Sequence, residues 1–143
     1  MATDIIATLA GDSAKAVLAH RADLMQATVR NETAVIAPDD PGGLSHEERR
    51  MLAARVALLN GDAALAEHYA GATEHASDAR WAAILRHVDL VTLHPKDATR
   101  ADLEALLAAG VAEADIVRLS QLIAFVNFQV RVIAGLRLIG RTA

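Results

Sequence analysis

The sequence has no cysteine. That excludes a disulfide, a thiolate zinc site, a cysteine nucleophile and a peroxidatic thiol, whatever the fold. Aromatic residues are only 3% of 143 positions, namely Tyr69, Trp81, Phe125 and Phe128. Four such side chains can anchor a helix packing or an interface but cannot supply a stacking platform for single-stranded nucleic acid. Basic excess is lacking too: 14 Lys and Arg stand against 18 Asp and Glu, and no basic run exceeds Arg49-Arg50. A phosphate backbone would find no matching surface, so nucleic acid is not an expected partner.

Long hydrophobic runs are also missing. Leu119 to Val130 is twelve residues without a charge, bounded by Arg118 and Arg131, against the ~18–20 that a membrane span needs. It predicts a buried core helix, with no membrane partner. The opening residues Met1 to Ile6 lack a positive n-region, and the apolar stretch breaks at Gly11-Asp12; a cytoplasmic protein is the expectation.

What is present is apolar and helix-forming. Hydrophobic residues make up 53% and charged residues 22%, too apolar for disorder and enough for one real core. Alanine, the best helix former, accounts for about a fifth of the chain. An all-α, single-domain protein over residues 1–143 follows.

Start and stop signals mark the helices. Thr3 or Asp4 caps a short docking helix stopped by Gly11; Asp12 or Ser13 caps a helix or helix pair broken near His20 to Asp23, with Val17, Leu18, Leu24, Met25 and Val29 near one face. Ala37 to Gly43 concentrates turn formers. Ser45 with Glu48 is a capping box for a helix ending at Asn60-Gly61. Asp62 caps a helix to about His75, Ser77 or Asp78 one from Ala79 to Leu93, and Thr99 a short one ending at Gly110. A long apolar helix then runs from Ala114 to Leu138, with Arg131, Arg137 and Arg141 toward its cation-favouring end.

The segment from Glu48 through Asn60-Gly61-Asp62 to His68-Tyr69, and the tail from Leu106 through Gly110-Val111 and Asp115-Ile116-Val117 to Phe128, resemble the carboxymuconolactone decarboxylase and alkylhydroperoxidase D-like family. The resemblance covers roughly two-thirds of the chain, Leu44 to about Gly140, and so implies a core from about 44 to 140 preceded by an N-terminal helical extension over about 1–36. It implies an alkylhydroperoxidase D-like bundle of about six to eight helices, with the 46–60 and 62–76 hairpin packed on the last helix. It also implies a homo-oligomer, from dimer to hexamer, and no cofactor.

The family's peroxidase relay is a Glu, a Cys twelve residues on, a second Cys three further and a His four beyond; on this sequence those positions are Arg50, Asp62, Leu65 and Tyr69. None matches. Peroxide reduction needs a thiolate to attack oxygen and a second thiol to resolve the sulfenic acid, and Asp and Leu can do neither. His68 lies one residue before the relay His position, turned about 100° around the helix, and Glu48 is two from the relay Glu. Asp62 makes sense as a helix cap.

Three functions remain open on these residues. The first is a non-catalytic member that keeps the scaffold, serving as partner subunit of a cysteine-containing relative. The second is a cofactor-independent lyase or decarboxylase using His68, Tyr69 or Glu67. The third is a small-ligand or metal module built on the face shared by His68 and His75, or on Gln121, Asn127 and Gln129. The two histidines are about 10.5 Å apart along the axis, too far to chelate one ion, so a solvated or interface face is the simpler reading. The same spacing and arithmetic apply to His87 and His94. Arg55, among Leu52, Val56 and Leu59, is expected to form a structural ion pair.

Overall fold

A computed structural model of the chain describes residues 4–71 and 77–142, and every regular element among them is helical. The N-terminal extension is three helices. α1 (Ile5–Ala10) is capped by the Asp4 carboxylate, which accepts from the Ala7 N–H at 3.0 Å, and ends at Gly11 with φ of 89°. α2 (Asp12–Ala19) follows at once, with Gly11 rather than Asp12 or Ser13 as its cap; Asp12 instead pairs with Lys15 on the surface. The chain then breaks at His20-Arg21, so the predicted second segment is a pair, with α3 spanning Ala22–Ile36.

α4 (His46–Leu59) opens on the predicted capping box: Ser45 Oγ accepts from Glu48 N–H at 3.1 Å, and Glu48 returns a carboxylate to Ser45 N–H at 2.8 Å. Two such satisfied donors are worth on the order of 1 kcal/mol each. A turn through Asn60 and Gly61 leads to α5 (Ala63–Tyr69), capped by Asp62. α5 stops at Tyr69, short of the expected end near His75. The Arg50 guanidinium explains this, because it donates to the carbonyls of His68 and Ala70 at 3.2 and 3.3 Å and satisfies the last turn from outside. Glu74 and His75 lie outside the described residues.

α6 (Ala79–Leu93) begins at Asp78, which caps the Trp81 N–H at 2.7 Å, and gives way to a 3₁₀ turn at Pro95–Asp97. α7 (Arg100–Ala108) starts where Asp102 folds back onto Thr99. α8 (Glu113–Thr142) is 30 residues, about 45 Å long. It outruns the sequence expectation at both ends. By length and composition it could cross a membrane, yet here it is the spine against which α1, α2, α3, α4, α6 and α7 pack.

The core forms where α4 meets α5, α6 and α8. Leu52, Val56, Leu65, Ile84, Val88, Leu119, Leu122, Val126 and Ile133 are all fully buried there, each contributing about 1.5–3 kcal/mol of transfer free energy. Ala53 and Ala57 are buried too, and their small side chains let the helices approach closely. Trp81 and Phe125 join this core, but Phe128 is 40% exposed. Val17 and Leu24, placed near one face from sequence, are also exposed: α2 turns Ala14 inward, and α3 turns Met25, Thr28, Val35 and Ile36 inward instead.

Arg49 locks the extension to the core. Only 2% exposed, it donates to the Leu44 carbonyl at 2.9 Å, the Val35 carbonyl at 2.7 Å and the Pro41 carbonyl at 2.8 Å. Burial pulls its pKa below the ordinary guanidinium value, Arg118 adds to that, and Asp115 opposes it. The same loop is tied to α8, where the Asp115 carboxylate accepts from the Gly43 N–H at 3.0 Å and from Arg118 at 2.8 Å. A Cβ on Gly43 would collide with that carboxylate. Arg49→Ala leaves three inward carbonyls without their donor, and we expect a loss of about 3 kcal/mol in chemical denaturation; a loss under about 1 kcal/mol would show that water replaces the guanidinium.

Candidate functional site

Four helices bring one polar cluster together at the edge of the core. α3 supplies Glu32, α4 Arg50, α5 His68 and Tyr69, and α8 Gln129. Gln129 is fully buried in α8, and its amide must therefore be satisfied inside the protein. Its Oε1 accepts from the Tyr69 hydroxyl at 2.7 Å, and its Nε2 donates to Glu32 Oε2 at 3.2 Å. The other Glu32 oxygen faces His68 Nε2 at 3.1 Å. A continuous line of hydrogen bonds thus runs from buried Tyr69 through Gln129 and Glu32 to His68, whose side chain is 28% exposed.

The outer end of that line borders a cavity of about 220 Å³ lined by Glu32, Thr33, Ile36, Ala37, Arg50, His68 and Tyr69. A carboxylate only accepts, so His68 Nε2 carries the proton toward Glu32, leaving Nδ1 as the basic nitrogen. The His68 ring stands edge-on to Tyr69, with centroids 4.7 Å apart. Burial pushes the Tyr69 phenol well above its ordinary pKa of 10.0, and the Glu32 charge adds to the rise. Tyr69 is thus held as a neutral donor rather than a base.

Each relay position has a structural occupation. Arg50 closes the end of α5, as described above. Asp62 Oδ1 caps the Leu65 N–H at 3.0 Å while its Oδ2 meets Arg137 at 3.2 Å, and Leu65 is fully buried. Tyr69 is 1% exposed and committed to Gln129. Of the other sequence candidates, Glu67 is exposed and outside the cavity lining. Glu48 caps its own helix and pairs with Arg80 at 2.7 Å.

Several expectations need correcting or refining. His68 is turned inward to Glu32 rather than lying on a solvated face. His87 and His94 do not share an environment: His87 is buried, with Nδ1 lacking a hydrogen-bond partner and its pKa lowered by burial, while His94 is exposed. Gln121 is exposed, and Asn127 joins Asn60 at 3.1 Å, so the amides of α8 form no common pocket. Arg55 does form the expected pair, bidentate with Asp89 at 2.6 Å. Among the described residues no three His, Asp or Glu side chains are grouped to hold a metal.

Glu32 escaped sequence reasoning, since it lies 36 positions from His68 in a different helix. Its signal was helical phase. Met25, Thr28, Val35 and Ile36 define the buried face of α3, and position 32 falls on that face. An acid in such a register needs an internal partner.

No protein-family model matches the chain, and no curated protein does either. A solved structure does: an uncharacterized peroxidase-related protein from Silicibacter sp. TM1040 superposes with a TM-score of 0.63 at 22% identity, over 80% of this chain and 68% of that one. The chain shares its fold with a peroxidase-related protein. At that identity the likeness fixes the helical architecture, and the residues at the site carry the rest of the argument.

Tyr69 is the sole tyrosine, so tyrosinate absorbance reports it alone. Its raised pKa in the folded state means that the associated stability is fully present below the ordinary value of 10.0 and is lost as pH rises above it. Tyrosinate should therefore appear only together with alkaline unfolding; a free titration near the ordinary value in folded protein would contradict the buried Tyr69–Gln129 bond.

Proposed function

We propose that this chain is an alkylhydroperoxidase D-like scaffold of the carboxymuconolactone decarboxylase type that does not act as a thiol peroxidase. It works as a self-associating, non-catalytic protein and as a partner subunit for a cysteine-containing relative. One observation supports this best: Arg50, Asp62, Leu65 and Tyr69, at the four relay positions, are absorbed into capping, core packing and a buried hydrogen bond. A group so engaged is not available to attack a peroxide or shuttle its proton. Purified protein given a hydroperoxide and a thiol reductant should show only the protein-free background rate. Turnover above that background would sink the proposal, and native mass spectrometry of protein from its host should reveal the subunit partner.

A second reading rests on the Glu32–His68 pair at the cavity. An imidazole oriented by a carboxylate, with its second nitrogen basic and Arg50 alongside, is the arrangement of a general base. It suits a cofactor-independent lyase or decarboxylase acting on a carboxylated lactone, with His68 as base, Glu32 orienting it and Tyr69 a fixed neighbour. Glu67, pointing away, has no part in it. If such a lactone is turned over, His68→Ala should lower the rate by about 10²–10⁴ with folding intact; an unchanged rate would remove His68 from the chemistry.

A further inference from the structure

Among the described residues, two buried side-chain polar atoms have no hydrogen-bond partner, Nδ1 of His87 and Oγ1 of Thr92, and both lie in the second half of α6. His87 is 6% exposed, on the face of α6 that also buries Trp81, Ile84 and Val88. Beside it lies a lightly held helix. α7 packs on α6 and α8 and buries a single residue of its own, Leu106. After the 3₁₀ turn it returns along α6, with Ala105, Ala108 and Ala109 facing Ala79, Ala82 and Ala83 across a groove of about 590 Å³. Methyl groups on both sides remove little apolar area from water. This antiparallel course brings Asp102, in the first turn of α7, close enough to His87 for its charge to act on the ring.

We propose that His87 is an acid-sensitive latch: as a neutral ring it lets α7 dock on α6, and on taking up a proton it releases α7 while the rest of the bundle stays closed. A neutral imidazole carries one N–H, whereas an imidazolium carries two, so both nitrogens then need an acceptor or water. No acceptor meets the buried Nδ1. Asp102 is the nearby carboxylate, but its Oδ2 already accepts from the Thr99 N–H at 2.7 Å and the Thr99 hydroxyl at 2.8 Å, in the box that opens α7. Turning Asp102 to the ring breaks that box, and leaving it in place sends the charged ring to water. Either route loosens the same helix, at its first turn or at its seat on α6.

The charges that act on the ring are Asp102 of α7 and Arg86 of α6 itself. Of the other ionisable groups on elements packed against α6, Arg55 and Glu48 of α4 are paired with Asp89 and Arg80 of α6, and Asp115 and Arg118 of α8 with each other. Lys96 and Asp97 of the 3₁₀ turn, Arg100 and Glu104 of α7 and Glu113 of α8 are exposed. Burial holds the His87 pKa below its ordinary 6.5, with Asp102 opposing that and Arg86 reinforcing it. The docked state therefore takes up the proton less readily than the released one. Docking is at full strength above pH 6.5 and weakens as pH falls below it, until the docked ring is itself protonated. The latch stands apart from the scaffold and lyase readings, since α6 and α7 contribute nothing to the cavity at His68.

The test is amide hydrogen exchange of the full chain, read by mass spectrometry across a pH series and corrected for the intrinsic pH dependence of exchange. Protection of residues 100–110 should fall about tenfold between pH 6.5 and about 5, while α4 keeps its protection. His87→Leu removes the titrating group, and the fall should vanish; His87→Gln, polar but without a titration, asks the same question should the leucine variant not fold. His94→Gln, at an exposed position, should keep the fall. The proposal is overturned if α7 protection is constant over this range, or if it falls only below about pH 4.5, where carboxylates such as Asp102 take up protons. Parallel loss of protection in α4, or a fall that persists in a folded His87 variant, would overturn it equally. The wild-type series separates a histidine from a carboxylate by itself, so the outcome does not hang on either variant folding.

Discussion

The buried guanidinium of Arg49 is the contact on which the arrangement of the chain depends. It holds the end of α3, the Pro41 loop and Leu44, just ahead of the Ser45 cap of α4, through three carbonyls that belong to no common secondary structure. A charge with so little exposure costs solvation, and the cost is tolerable because the planar group presents its donors in a fixed fork matched to those three acceptors. Asp115 and Arg118 continue the tie to α8. The position of α3 against α4 and α8, and with it the position of Glu32, follows from this junction.

Downstream of that junction the polar line from Tyr69 to His68 does two things at once. It satisfies a glutamine amide in the middle of an apolar helix, and it holds one carboxylate with each oxygen assigned. Such networks specify one packing register, because any alternative leaves several members unpaired together. Arg50, Asp62, Leu65 and Tyr69 are in the same kind of structural service. Arg50 and Asp62 secure opposite ends of α5, and Leu65 and Tyr69 fix its inner face. A helix of only seven residues is too short to persist alone, and here both termini and the buried side are held by neighbours.

Local chemistry was what the sequence made legible. Ser45 with Glu48, Asp62, Asp78 and Thr99 each announce a helix start through groups within three residues, and each does so in the structure. The end of α5 was not legible, since it is made by Arg50, a residue in another helix whose reach no local pattern encodes. Leu24 was grouped with Met25 near one face from hydrophobicity and spacing, and Phe128 was left as a core or interface anchor; nothing in the residue type distinguishes an inner apolar stripe from an outer one. At the site, His68 and Tyr69 could be named from the hairpin, but Glu32 required knowing that α3, packed on α4 and α8, reaches His68. Gln129 was visible as an interruption of an apolar run, without any indication of what it would bind.

The length of α8 has a consequence for how the chain can vary. Near one end Asp115 holds Gly43, in the middle Gln129 holds Tyr69 and Glu32, and toward the other end Arg137 holds the Leu9 carbonyl and Asp62. One rigid rod sets the phase of three separate attachments. Adding or deleting a single residue between them would rotate everything beyond it by about 100°, so one attachment or another must break. Such changes in chain length can be absorbed in the connections between helices, such as residues 37–44 and 109–112, and not along the spine itself.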